Sequence, residues 1–265
     1  MPNSNFKGGL KIENPYPSNE IDLIRIPLPD KVVLPMQQRI GNQAIPCVSI
    51  GEHVLTGQII ATIDDDQCAP VHASISGTVT AIGNHVYAHQ SGLKGLCVTI
   101  ESDGKDEWVD TSIGCTENYK ACLPLTIYDK IRISGIVGMG GAGFPTHTKM
   151  RLAAGCKNII INATECEPGI TCDAALMQAY PTKVIRGVEV LLHIIGAEKA
   201  IIAIEDDKQD SINELNKYCN NERIEIKVIP TKYTSGAEKI LIKTLLDIEV
   251  PSGKFASDVG ILCLN

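Results

Sequence analysis

Two short stretches of this chain carry residue types that can do chemistry. The first, GIVGMGGAGFPTHTKM, covers residues 135–150 and sets Gly138, Gly140, Gly141 and Gly143 ahead of Phe144-Pro145 and Lys149. Glycine has no Cβ, so the backbone N–H groups of such a run can approach a phosphate or a flat ring closely. Neither common nucleotide template fits. GxxxxGK[ST] needs a hydroxyl residue after a properly spaced lysine, and GxGxxG can be laid only on Gly138, Gly140 and Gly143. Phe-Pro then falls where a helix should begin, and no buried apolar strand precedes the run. By its glycines alone the stretch is either a ligand loop or a glycine-rich turn.

The second stretch, INATECEPGITCD, begins at Ile161 and follows the apolar run KNIII. Asn162, Glu165, Glu167 and Asp173 crowd it. Open α/β sheets bind ligands outside the carboxyl ends of their strands, which is where this loop is predicted to lie. An asparagine both donates and accepts, which suits the edge of a heterocycle. Carboxylates can accept from ribose hydroxyls or a carboxamide.

The cysteines and histidines are less informative. There are ten cysteines, but none forms a CxxC pair, and zinc or iron–sulfur sites need ligands closely clustered. They read mostly as reduced core thiols, with no metal ligand among them. His72, His85 and His89 are scattered in or near turns and read as solvated or internally satisfied.

These motifs need elements to hold them. Residues 1–34 are rich in proline and turn formers and read as an extended lead-in with short strands. Over 35–104, brief β-like runs alternate around Gly51, Gly57, Gly77 and Gly83. VSIGEHVLTGQIIATI and PVHASISGTVTAI resemble the two halves of a biotinyl/lipoyl-like barrel-sandwich hybrid domain. The intervening DDDQCAPVHAS has no lysine, so a swinging-arm carrier is not expected. A polar stretch over roughly 102–122 marks a boundary, and 120–265 reads as an α/β domain. There KNIIINAT, AIIAIED, IEIKVIP and VGILCLN are predicted strands. Helices are predicted over CDAALMQAYPTKVIRGVEVLLHIIG, with a break near Pro181, over DSINELNKYCNN, with Asp210 or Ser211 as N-cap, and over GAEKILIKTLLDIE. Strand–helix alternation of this kind predicts a parallel sheet. The fold class is α/β: a Rossmann-like parallel-sheet domain preceded by a small β-rich barrel-sandwich domain.

Bulk properties exclude other classes. A net charge of −7 offers no basic stripe for nucleic acid, and aromatics at 4% offer no stacking platform. No segment approaches the roughly 18 apolar residues of a membrane span. The first residues lack the apolar core of a signal peptide, so the expected compartment is the cytoplasm.

Taken together, the two motifs resemble the flavoprotein subunit of respiratory complex I, where a GxGGAGFPTGxKW-type loop and an NADExEPG-type loop bind FMN and NADH. The resemblance to the RnfC family is closer. That family shows an early FKGG (from Phe6 here), PVHAS-x-SGTV, GGAGFPTH-x-K and NA-x-ECEP-x-ITCD. The likeness covers essentially the whole chain from Phe6. It implies a peripheral subunit of the Rnf electron-transport complex on the cytoplasmic face of the bacterial inner membrane. Hydride would pass from NADH to FMN, or the reverse, with electrons moving through 4Fe–4S clusters. Ion translocation would belong to the membrane subunits, and a ferredoxin-like subunit would be a further partner.

Residue roles follow from the resemblance. Gly138, Gly140 and Gly141 would lie along the flavin and its phosphate, Gly143 in the same cofactor loop, and Lys149 would supply positive charge. Asn162 and Glu165 would meet the isoalloxazine or ribityl region. Phe144 would stack on a ring of NADH, with Glu167 bordering that pocket. Gly236 and Glu238 match a GEE-type turn lining the nucleotide site, and Asn265 the start of an asparagine loop near the FMN phosphate. Departures are Met139 for arginine, Thr164 for aspartate and Ala237 for the first acid of the GEE-type turn. The family's CxxCxxCxxxCP-type cluster motifs do not occur here, which reads as an RnfC truncated before its cluster-binding half. Two alternatives stand beside this reading: a soluble RnfC-like electron-transfer protein feeding a reductase, and a non-catalytic docking fragment.

Overall fold

The computed structural model describes residues 8–12, 23–39, 41–62, 69–89, 91–110, 118–139, 143–165, 167 and 169–265. Two compact units divide the chain: Arg25–Lys149, and Met1–Ile24 with Met150–Asn265.

The Arg25–Lys149 unit is built on two antiparallel sheets. Strands β1 (Lys31–Pro35), β3 (His53–Val54), β6 (Gly77–Val86) and β7 (Lys94–Ser102) form one, in the order β1-β7-β6-β3. The other holds β2 (Ile45–Pro46), β4 (Ile59–Thr62) and β5 (Val71–His72), in the order β2-β4-β5. Inward positions of both supply one core, including Met36, Val54, Ile60, Val71, Val79, Val98 and Ile100. Short strands alternating around glycine turns bury one face each, as the sequence pattern required. The strand β1 begins inside the expected lead-in, pairing Lys31–Pro35 with Cys97–Glu101. Helix α1 (Pro124–Ile133) had no clear signal. It buries Ile127 but leaves Leu123, just before it, and Leu125 exposed, so no apolar stripe marks it. Helix α2 (Thr146–Leu152) starts directly after Pro145.

The other unit carries a four-stranded parallel sheet, ordered β10-β9-β8-β11. Its strands are β8 (Asn158–Ala163), β9 (Lys199–Glu205), β10 (Ile224–Ile229) and β11 (Ile261–Leu264). All pair in parallel. Burial on both faces accounts for the continuous apolar runs: every residue of β11, and all of β9 but Lys199, is buried. Helix α3 (Cys172–Ala179) is separated from α4 (Pro181–Ile195) at Tyr180, because Pro181 has no N–H to donate and suits the first helical position. Helix α5 (Gln209–Tyr218) has Lys208 as its N-cap, correcting the expected Asp210 or Ser211. The Ser211 hydroxyl instead donates to the Ala174 carbonyl on α3 at 3.1 Å. Helix α6 (Glu238–Leu246) packs Leu241, Ile242 and Leu245 into the core with Ile160, Ile201 and Ile229. The fold is thus mixed α/β, with one parallel and two antiparallel sheets among the described residues.

Candidate functional site

The carboxyl edge of the parallel sheet gathers one group of candidate residues. Asn162 is the penultimate residue of β8 and is buried. Its Nδ2 donates to the Gly236 carbonyl at 2.9 Å, and its Oδ1 accepts the Thr164 hydroxyl at 2.7 Å. The side chain thereby ties the loop after β8 to the turn after β10. Register puts Leu264 beside Ile161, so Asn265 follows at the step where β8 places Asn162. Glu238 opens α6 two residues after Gly236. Glu167 stands on an exposed bend of the loop.

Glu165 is buried, and its carboxylate caps α3. Oε1 accepts the Asp173 N–H at 2.6 Å and Oε2 the Ala174 N–H at 3.3 Å. A carboxylate on free helix N–H groups meets the positive end of the helix dipole. The Glu165 backbone N–H donates to Glu205 Oε2 at 2.9 Å. Glu205, the last residue of β9, is fully buried at 0% exposure, and its Oε1 accepts the Ser235 hydroxyl at 3.0 Å. One carboxylate therefore joins three strand-end segments.

Sequence reasoning passed over Glu205, Ser235 and the buried Lys208. The acids Glu205, Asp206 and Asp207 closing the apolar run AIIAI were the available signal. Lys208 is 1% exposed, with its Nζ 3.1 Å from Asp207 Oδ2. Burial pushes the Glu165 and Glu205 carboxyls up from their ordinary range, opposed by the hydrogen bonds they accept and by the Lys208 charge. Asp173 is also raised by burial. The Cys172 thiol is raised by burial and by the neighbouring Asp173 and Glu165. Donor atoms of Glu165, Cys172 and Asp173 lie within 4.8 Å of one another, but both Glu165 oxygens already accept helix N–H groups. Among the described cysteines, Cys47, Cys97, Cys156, Cys172, Cys219 and Cys263 are reduced thiols, while Cys122 is disulfide-bonded.

The glycine stretch lies in the Arg25–Lys149 unit. Its two ends pair: Gly138 N–H donates to the Phe144 carbonyl at 2.8 Å, Thr146 N–H to the Ile136 carbonyl at 3.0 Å, and Val137 bridges Pro145. Gly140 and Gly141 lie outside the described residues. The Lys149 Nζ stands 5.9 Å from the centroid of the Phe144 ring, so those two side chains are neighbours. Gly135 and Gly143 have φ of 68° and 60°. A Cβ at Gly135 would lie 2.8 Å from His72 Cε1, and one at Gly143 would lie 3.0 Å from Arg39 Cβ. These two glycines are demanded by close packing against the β-rich part of the unit. His72 is satisfied there: its Nε2 donates to the Ile133 carbonyl at 2.9 Å.

Chemically, the sheet edge fits hydroxyl and amide donors. The carboxyls gathered there, buried Glu165 and Glu205 and half-buried Asp173, are acceptors for such groups.

Residues 131–265 match the Nuo51 FMN-binding domain family, slightly more than half of the chain. The chain belongs to that family. Residues 4–105 match the RnfC barrel sandwich hybrid domain. Similar proteins are named as subunits of an ion-translocating oxidoreductase complex. The relative from Edwardsiella ictaluri (strain 93-146) is 42% identical over 263 residues, 98% of this chain and 32% of its own length. That from Pseudomonas aeruginosa (strain PAO1) is 40% identical over 263 residues, 98% of this chain and 34% of its own. The chain thus spans about a third of the length of these relatives, and the resemblance to RnfC is borne out. Among solved structures, an air-oxidized NAD+-reducing [NiFe]-hydrogenase is 28% identical, with a TM-score of 0.47 over 54% of this chain and 28% of that one.

Proposed function

We propose that this chain is the flavin- and NADH-handling part of an RnfC-type protein, acting in NADH-dependent electron transfer. The observation that carries the reading is the NATECE loop at the carboxyl edge of the parallel sheet, pinned by Asn162 to Gly236 and by Glu205 to Glu165. In this reading the sheet works as a Rossmann-like platform, with its ligand at the strand ends. Residues 120–265 form the FMN/NADH part, preceded by the barrel-sandwich part at 35–104 and an N-terminal segment at 1–34.

Bound FMN supplies the hydride acceptor and the one-electron chemistry that NADH lacks. The chain's own residues position it. Asn162 and the loop fixed by Glu165 border the ring or ribityl region, while Gly138, Gly140, Gly141 and Gly143 let the loop backbone approach. Lys149 brings positive charge. Phe144 and Glu167 border the nicotinamide dinucleotide, with Gly236 and Glu238, and Asn265 sits toward the phosphate. With Ala237 in place of an acid, that turn presents less negative charge to the nucleotide.

In the whole protein, 4Fe–4S clusters held outside this chain would supply one-electron carriers toward membrane and ferredoxin-like subunits, with the protein peripheral on the cytoplasmic face of the inner membrane. Among the described residues no helix is long and apolar enough to cross a membrane. The test is addition of FMN to the purified chain, followed by gel filtration. Retained, fluorescence-quenched flavin supports the reading, and recovery of flavin-free protein sinks it.

A further inference from the structure

The glycine loop and the β-rich part of the same unit enclose a pocket of about 370 Å³, within the usual range for ligand sites. Gln38, Arg39, Pro70, His72, Val137 and Gly138 are among the residues lining it. No carboxylate is found among the described lining residues, in a chain whose net charge is −7. Two glycines set the width of the pocket. Gly135 lets the chain pass against His72 and the Pro70 carbonyl, and Gly143 lets it pass against Arg39 and the Gln38 carbonyl. His72 is fixed in place by the hydrogen bond to Ile133. Arg39 stands close enough for its charge to act on the His72 ring.

We propose that this pocket is a phosphate subsite, in which Arg39, with the Gln38 amide beside it, holds a phosphate group of the nucleotide bound at the glycine loop. The proposal rests on the FMN/NADH reading above. A guanidinium donates charge-assisted hydrogen bonds to phosphate oxygens, and a glycine-lined wall admits a bulky anion without side-chain obstruction. Among the described residues, this pocket combines a cation with a lining that holds no carboxylate. The phosphate belongs either to FMN or to the pyrophosphate of NADH.

Binding of FMN against riboflavin, and of NADH against reduced nicotinamide riboside, separates the two sources in wild type, Arg39→Gln and Arg39→Lys. The expected result is a loss of roughly ten-fold or more in Arg39→Gln for one phosphorylated ligand. Its phosphate-free analogue should bind unchanged, and Arg39→Lys should recover part of the loss. In parallel, the His72 imidazole NMR signals are followed while inorganic pyrophosphate is added to the full chain. They should move in wild type and stay fixed in Arg39→Gln. If neither nucleotide binds wild type but pyrophosphate moves His72 through Arg39, the subsite stands and the FMN/NADH reading fails. If nucleotides bind equally to wild type and Arg39→Gln, the subsite is overturned and that reading survives. If neither nucleotide binds and His72 does not respond, both are overturned.

Discussion

The backbone N–H of Glu165 donates to Glu205 Oε2 at 2.9 Å, tying the loop after β8 to the last residue of β9. Because the other Glu205 oxygen accepts the Ser235 hydroxyl, one buried side chain sets the spacing of three segments at the candidate site. Glu205→Ala leaves the buried Glu165 N–H without its acceptor, at about 1–3 kcal/mol in stability. Glu205→Gln keeps an acceptor for that N–H and can donate to Ser235, so its loss should be smaller. Urea unfolding of both variants checks the ordering; equal stability of wild type and Glu205→Ala would contradict it.

The same carboxyl has a pH signature. Burial raises its folded-state pKa above the unfolded value of about 4.3, so the native state favours the protonated form. That contribution is fully present below the unfolded value and is lost as pH rises through the folded one. The stability advantage of wild type over Glu205→Gln should therefore shrink as pH rises from about 4. Urea midpoints measured across pH for the pair test this, and a gap that widens with pH would refute the assignment.

Asp103 behaves oppositely. It accepts the Lys105 N–H at 2.9 Å, the Ser76 hydroxyl at 2.7 Å and a 2.9 Å hydrogen bond from His53 Nε2, which hold its carboxyl down at about 2. The unfolded value is about 3.9, so this stabilisation is present above that pH and disappears as pH falls through about 2. Asp103→Asn should be less stable than wild type at neutral pH, with the gap closing between about pH 4 and 2. A gap unchanged at low pH would show that ionisation of Asp103 contributes nothing.

Gly135→Ala and Gly143→Ala put a Cβ into left-handed backbone and against His72 and Arg39. Each should lower stability by about 1–3 kcal/mol. Gly83→Ala is the control: an added Cβ there meets nothing within 4 Å, and stability should change little. Thermal unfolding of the three variants decides the matter, and a neutral Gly143→Ala would remove the packing explanation for that glycine.

Much of the parallel-sheet unit was legible because its signals are local. The runs III of β8 and AIIAI of β9 are apolar since both sheet faces are covered, and the proline at 181 marked the break between α3 and α4. The Asn162–Gly236 and Glu165–Glu205 ties were not legible, because each joins segments remote in sequence and neither residue type announces its partner. Gly135 and Gly143 looked like ligand glycines or turn glycines. Their neighbours His72 and Arg39 come from the β-rich region, where nothing in the local pattern points toward the loop. Ser211 had the chemistry of an N-cap, but the hydroxyl found a buried acceptor on α3. Local sequence specified these elements, while tertiary partners chose what their polar side chains do.

The most direct test of the flavin assignment is an anaerobic titration of the FMN-loaded chain with NADH, followed at the visible absorption band of the flavin. Bleaching that saturates near one NADH per flavin is the predicted result. Bound flavin whose band does not change at excess NADH would contradict the account.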